Sequence, residues 1–138
     1  MNFIVTKGVP DDARNLRMKV FVEEQGFVEE FDEIDDKAHH IVMYIDEKAV
    51  ATGRIFVKEG RIYKIGRVAV EKKQRNKGYG IKIMNELEKV AKTEKAEKIL
   101  ISSQYHARKF YENCGYVEQG SPYFEENVKH ILMQKIIN

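Results

Sequence analysis

Residues 74–80 read "QRNKGYG". The stretch follows the apolar run "RVAV" (67–70) and leads into a segment whose apolar residues recur at helical spacing. It therefore joins a strand ending at Val70 to a helix starting near Gly78. At a helix start the first backbone N–H groups have no partner within the helix and point outward. Glycine lets a backbone approach a ligand closely and take φ > 0. With the positive end of the helix dipole, these features describe an anion site. Arg75 and Lys77 add full charges to it, and a pyrophosphate is its natural guest.

Two common pyrophosphate motifs do not fit the spelling. A nucleotide P-loop needs GxxxxGK followed by Ser or Thr, and no such pair follows these glycines. A dinucleotide fingerprint needs GxGxxG, but Gly78-Tyr79-Gly80 is followed by Ile81-Lys82-Ile83. Taken alone, RxxGxG is also consistent with a helix start that binds nothing.

Working outward, "NFIVTK" (2–7) predicts a first strand. Pro10 with Asp11 and Asp12 opens a helix, because proline suits a first turn and acids suit its positive end. Ala13, Leu16, Val20 and Phe21 mark its apolar face, and Gly26 stops it. The acidic stretch "EEFDEIDD" (29–36) predicts a loop or short turn. "HHIVMYID" and "KAVATGRIFVK" are strands joined tightly near Asp46–Glu47, and "EGRIYKIGRVAV" adds another after a Gly60 turn. Ile83, Met84, Leu87, Val90 and Ala91 line one face of the central helix. Glu86, Glu88, Lys89 and Lys92 read as exposed charges on its other face, with i,i+4 partners. "EKILISS" is a strand and "QYHARKFYENCG" a short helix closed by Gly115. The last segment predicts a strand, a turn around Gly120–Pro122 and a closing strand.

The order is β-α-loop-β-β-β-α-β-α-β-β. Three strands in succession imply an antiparallel meander, and the strand–helix–strand unit implies a parallel pair by a right-handed crossover. The predicted fold is α/β (α+β), with a mixed, mostly antiparallel sheet and helices on both faces.

The chain has 138 residues, which suits one domain over 1–138 better than two. No apolar run approaches a membrane span, and "MNFIVTKGV" does not resemble a secretory signal. The lone Cys114 excludes an internal disulfide, and no paired-cysteine zinc spacing exists. A cytoplasmic setting, no membrane partner and no metal are the expectation. Net charge is +2, and the basic stretch 71–98 holds Tyr79 as its one aromatic. That is weak for nucleic acid, so none is expected as a partner.

"VAVEKKQRNKGYG" (68–80), followed by a helix, a strand and "QYHARKFYENCGY" (104–116), resembles the GNAT superfamily of N-acetyltransferases. That family's acyl-CoA signature, Gln/Arg-x-x-Gly-x-Gly/Ala, is matched by Arg75, Gly78 and Gly80. Gln104, Ala107, Phe110, Tyr111, Gly115 and Tyr116 match its later segment. "RMKVFVEEQGF" (17–27) and "HILMQK" (130–135) resemble a small bacterial branch of uncharacterised members. The resemblance spans nearly the whole chain, in the order of elements derived above.

The resemblance implies an acyltransferase, of the class transferring groups other than aminoacyl groups, with acetyl-CoA as cosubstrate. Val68, Ala69 and Val70 would pair with the pantetheine arm like an added strand. Gln74, Arg75, Asn76, Lys77, Gly78, Tyr79 and Gly80 would hold the pyrophosphate. Gln104 stands where many members have an asparagine touching the cofactor, with Ala107 and Phe110 nearby; Phe110 also reads as a core aromatic. Tyr111 aligns with the tyrosine near the cofactor sulfur. A thiol titrates near 8.5 and tyrosine near 10, so full proton transfer to the thiolate is uphill by about 2 kcal/mol. Tyr111 is therefore expected to act as a hydrogen-bond donor to the thiolate; the bland reading is a core aromatic.

The acceptor amine, with a lysine-like pKa, is neutral only about one time in a thousand near pH 7.4. Some family members place a glutamate on the strand before the signature to help, but "RIYKIGRVAV" carries Lys64 and no carboxylate. Glu30, Asp35, His40 and His130 are the candidate bases. His40 titrates in a useful range but also reads as a satisfied strand histidine. Glu30 and Asp35 in the acidic stretch are candidates for attracting a cationic acceptor, against a solvated loop. The first reading is acetyl transfer to a primary amine, on a small molecule or a protein. The second is a non-catalytic CoA-binding sensor or interaction module, since fold alone does not set function. Acyl-homoserine-lactone synthesis ranks third, because those chains are longer. A homodimer is left open.

Overall fold

The computed structural model describes residues 1–27 and 31–137. Seven strands form one sheet in the order β1-β2-β3-β4-β5-β7-β6. They are β1 (Asn2–Lys7), β2 (His39–Ile45), β3 (Lys48–Glu59), β4 (Ile62–Val70), β5 (Lys98–Gln104), β6 (Val117–Glu125) and β7 (Val128–Ile136). Among the described residues only β4 and β5 run parallel; every other neighbouring pair is antiparallel. The expected meander and crossover are both present. The β2–β3 turn falls at Asp46 and Glu47, which take φ of 49° and 66°. Two left-handed residues in succession give a turn whose twist matches a hairpin.

The strands of the central sheet bury Ile55, Ile65, Ile101 and Met133 in one row, at aligned positions of β3, β4, β5 and β7. Helix α2 (Tyr79–Thr93) covers that face with Ile83, Met84, Leu87 and Ala91, all fully buried. The 3.6-residue period brings these positions onto one stripe, as their spacing predicts. Helix α1 (Asp11–Arg17) packs against β2, β3 and β4, burying Ala13 and Leu16. It continues as seven π-helical residues, Met18–Glu24, with Gln25 N–H donating to Val20 O at 3.1 Å. A π-turn holds an extra residue and rotates those after it. Helix α3 (Arg108–Asn113) follows β5 through one 3-10 turn. Among the described residues no helix is long and apolar enough to cross a membrane.

Two sequence expectations need correction. The last hairpin turns at Glu126–Asn127 (φ 46° and 64°), not at Gly120–Pro122. Those residues lie within β6, where the β6–β7 register shifts between Gln119 and Tyr123. Proline donates nothing to a ladder and is tolerated at such an irregularity on an edge strand. The true turn sets Glu125, Glu126 and His130 close together at the end of the hairpin.

Glu88 is not an exposed helix charge: it is 4% exposed. The Tyr116 hydroxyl donates to it at 2.9 Å and Lys135 Nζ at 2.9 Å. Lys135 also donates to the Cys114 carbonyl at 2.8 Å, so one carboxylate ties α2 to β7 and the end of α3. Helical periodicity put Glu88 beside Leu87 and Ala91 on the inner stripe, but only the partners across the fold make a charge tolerable there. Glu88→Ala leaves the buried Tyr116 hydroxyl without its acceptor. The expected loss is about 1–3 kcal/mol, read as a lower urea midpoint with unchanged slope.

Candidate active site

β4 pairs with β5 only from Ile62↔Lys98 to Ile65↔Ile101. Beyond that point the two strands separate, and residues 66–70 keep β3 as their neighbour but have no ladder partner on the β5 side. A bulge marks the place: Gly66 pairs with Arg54 and Ala69 with Thr52, so Arg67 and Val68 share the space opposite Gly53. Arg67 takes φ of 53°, which costs a non-glycine residue energy and persists because the surrounding pairs enforce it. The bulge bends β4 away from β5. The free edge it leaves offers N–H and C=O groups to an extended ligand, with Val68, Ala69 and Val70 on that edge.

The stretch 74–80 closes the end of this opening. Gly78 is the N-cap of α2 with φ of 81°, and Asn76 has φ of 65°. Among the described residues, the amides of Asn76, Lys77 and Gly78 donate no hydrogen bond. Free amides at the start of a 15-residue helix suit an anion, so the backbone fits a pyrophosphate. Gly80 has a different reason to be glycine. A Cβ there would lie 2.9 Å from Phe110 Cζ, so it is α3 that approaches closely, not a ligand. Phe110 thus fastens α3 onto the start of α2.

Arg75 is not a free cation for a phosphate. Its guanidinium donates to both Glu24 carboxylate oxygens, at 2.6 and 2.8 Å, and its Nε donates to the Val70 carbonyl at 3.0 Å. The hydrogen bonds from Arg75 hold the Glu24 carboxyl below its usual range. Arg75 therefore ties the loop to the end of the π-helical turn. Lys77 donates to Gln74 Oε1 at 3.1 Å, an exposed contact that a ligand can displace.

On the sheet face opposite α2, a cleft of about 360 Å³ opens beside the splayed strands. Val68, Gln104, Ala107 and Tyr111 of the expected residues line it. Gln104 donates to Gln25 Oε1 at 2.9 Å, while its own Oε1 lies 2.8 Å from His106 Nε2. Gln25 reaches this position because the π-turn precedes it. Tyr111 packs edge-on against Phe110 at 5.0 Å and Tyr116 at 6.3 Å. No described residue hydrogen-bonds its hydroxyl, and burial pushes its pKa above the usual tyrosine value. It stays a neutral donor with an unused proton, on the cleft wall.

The acidic stretch behaves differently from the expectation of an acceptor trap. Asp35 is 3% exposed and does not line the cleft. Arg17 donates to its two oxygens at 2.8 and 3.1 Å, and Arg54 to Oδ1 at 2.8 Å. Burial alone would raise the Asp35 pKa, but the two arginines and the Asp32 amide outweigh it and hold it at about 2. Asp32 does reach the cleft, where Arg54 donates to it at 2.7 Å and Arg67 approaches at 3.4 Å. The negative charge is matched locally. His40 is a buried strand histidine, 1% exposed, with Nε2 2.9 Å from the Asp35 carbonyl oxygen. Burial pushes its pKa down, and it does not line the cleft. Glu30 lies outside the described residues.

Sequence reading missed several cleft residues: Arg54, Phe56, Ser102, Glu125 and Glu126. Their positions depend on strand register and on the Glu126–Asn127 turn, which carry no motif. Lys64 and His130 also line the cleft. Burial lowers the Lys64 pKa, partly opposed by the Glu125 carboxylate.

Residues 7–137 match the family described as Acetyltransferase (GNAT) domain. The chain belongs to the GNAT acetyltransferase family. Among GNAT relatives, the uncharacterized N-acetyltransferase YjcF of Bacillus subtilis is 37% identical over 127 residues, covering 90% of each chain. A solved structure of a candidate N-acetyltransferase from Lactobacillus plantarum superposes with a TM-score of 0.91 at 29% identity, covering 99% of this chain and 98% of that one. A Bacillus subtilis acetyltransferase in complex with CoA shares the GNAT fold, with a TM-score of 0.77 at 15% identity over 98% and 97% of the two chains.

Proposed function

We infer that the protein moves an acetyl group from acetyl-CoA to a primary amine by direct attack. The observation that carries this is the free edge at residues 66–70, flanked by unpartnered amides at 76–78 and leading to the unbonded Tyr111 hydroxyl. Pantetheine needs an extended partner, its pyrophosphate needs donors, and the departing sulfur needs a hydrogen bond. Along CoA these groups follow as pyrophosphate, pantetheine and sulfur, matching the amides at 76–78, the edge at 66–70 and Tyr111 in turn. A Bacillus subtilis acetyltransferase of the same fold was solved in complex with CoA, which supports CoA-type binding by this fold. In the reaction a new N–C bond forms, the C–S bond breaks, the amine gives up a proton and the sulfur takes one. Holding amine and thioester together supplies much of the rate.

The second reading, a CoA-binding module without turnover, is favoured by one feature: β4 presents Lys64 to the cleft and no carboxylate. Titration calorimetry with acetyl-CoA, CoA, ATP and NAD tests the binding that both readings require. Micromolar binding of acetyl-CoA and CoA alone is expected. Gly78→Asn should keep it, because asparagine tolerates φ > 0. Gly78→Asp has the same shape but sets a carboxylate against the pyrophosphate, and affinity should fall about tenfold or more. Equal affinity in the two variants would place the phosphates elsewhere. Acceptor turnover then separates enzyme from module.

A further inference from the structure

The amine must lose a proton, and β4 offers no carboxylate to take it. Resting on the acetyl-transfer reading above, we propose that His130 is the general base. Its Nδ1 lies 2.8 Å from the Val128 carbonyl oxygen. A carbonyl only accepts, so Nδ1 carries the ring proton and the neutral imidazole keeps its lone pair on Nε2. No described group hydrogen-bonds Nε2. The Glu125 carboxylate stands 3.9 Å from it, too far for a hydrogen bond.

The ring is also held in place. It stacks on Tyr123, with centroids 6.1 Å apart and planes 23° apart, and the Tyr123 hydroxyl hydrogen-bonds Ser102 Oγ. His130 sits across the β5–β7 ladder from Gln104, the last residue of the strand that leads to α3 and Tyr111. His130 and Tyr111 line the same cleft from different elements, β7 and α3. The other candidates are placed less well. His40 and Asp35 lie outside the cleft with their polar atoms engaged. Glu125 is 53% exposed on the hairpin, where water already satisfies a carboxylate. In the step itself, Nε2 takes a proton from the bound ammonium, which frees the nitrogen lone pair; the N–C bond then forms, and the second N–H proton goes to the departing sulfur. The C–S bond breaks with its electron pair on sulfur, beside the Tyr111 hydroxyl. The imidazolium returns its proton to water after the products leave.

Two small acceptors test this with the full chain and acetyl-CoA at neutral pH. Ethylamine is protonated and needs a base, whereas hydroxylamine is already neutral. In His130→Asn the amide can still donate to the Val128 carbonyl but nothing replaces Nε2; His130→Gln is the second variant, and both are checked by melting temperature. The ratio of ethylamine to hydroxylamine turnover is expected to fall about 10²-fold, the lower end for a general base. An unchanged ratio, whether both rates fall together or neither falls, overturns the proposal. So does a selective loss in Glu125→Gln in place of the His130 variants, or a wild-type protein that acetylates hydroxylamine alone. A wild-type protein that binds acetyl-CoA and acetylates neither amine overturns the catalytic reading itself.

Discussion

Asp35→Ala is expected to lower the unfolding free energy by about 3–5 kcal/mol, the cost of breaking a buried ion pair from one side. Arg17 and Arg54 are 1% and 4% exposed, and Asp35 is the carboxylate they share. Asp35 also accepts from the Asp32 amide at 3.1 Å, which shapes the short 3-10 turn Glu33–Asp36. One carboxylate therefore joins α1, β3 and the turn that carries Asp32 to the cleft. Urea unfolding followed by circular dichroism reads the effect. A midpoint within error of wild type would mean that the arginines find other partners at no cost.

The same residue makes stability depend on acid. Folding holds the Asp35 pKa at about 2, against an ordinary 3.8. A depressed carboxylate pKa means that the fold favours the ionised form. Its contribution is complete above about pH 4 and is lost as pH falls toward 2. By linkage it amounts to about 2 kcal/mol. Asp35→Asn cannot titrate, so its stability should fall less steeply than wild type between pH 4 and pH 2.

Tyr111→Phe is expected to lower kcat by about 10²–10³-fold, the loss seen when one preorganised donor to developing charge is removed. Its KM for acetyl-CoA should change little. The phenylalanine ring keeps the edge contacts with Phe110 and Tyr116, and the hydroxyl has no described partner to lose. Stability should therefore stay at the wild-type level, which separates this change from a packing defect. Burial raises the Tyr111 pKa, so under the proposed acetyl transfer its part is a hydrogen bond to the sulfur, with full proton transfer completed late or through water. An unchanged kcat would make Tyr111 a core aromatic that happens to border the cleft.

The loop 74–80 and the helix after it were legible because their signals are local. Glycine at the N-cap and apolar residues at 3.6-residue spacing act within one turn of the chain, so Gly78 and the Ile83–Leu87 stripe appear where they were expected. Gly80 was legible as a glycine but not for its reason, since Phe110 comes from a helix about thirty positions later in the chain. Arg75 was read as a phosphate cation from its neighbours in sequence, yet its partner Glu24 lies 51 residues away. Asp35 was read as available charge, and Arg17 and Arg54 make it a strut. The last turn was misplaced because Gly120 and Pro122 are strong turn residues locally, while the pairing of Gln119 and Tyr123 with β7 on either side keeps them within β6.

The sequence by itself determined the order of elements, the parallel crossover, the amide-rich start of α2 and the position of Tyr111, all of which follow from local propensity and chain connectivity. Only the tertiary structure decided which charges are spent inside the fold and which face the cleft. Asp35, Glu88 and Arg75 look alike to His130 and Lys64 in a string of polar residues, but ion pairing is set by register and by contacts between distant strands and helices. The β4 bulge at Arg67, the π-turn before Gln25 and the Glu126–Asn127 turn bring those distant residues to one opening. Each is a short local irregularity, too small to leave a pattern in sequence and large enough to redirect a side chain.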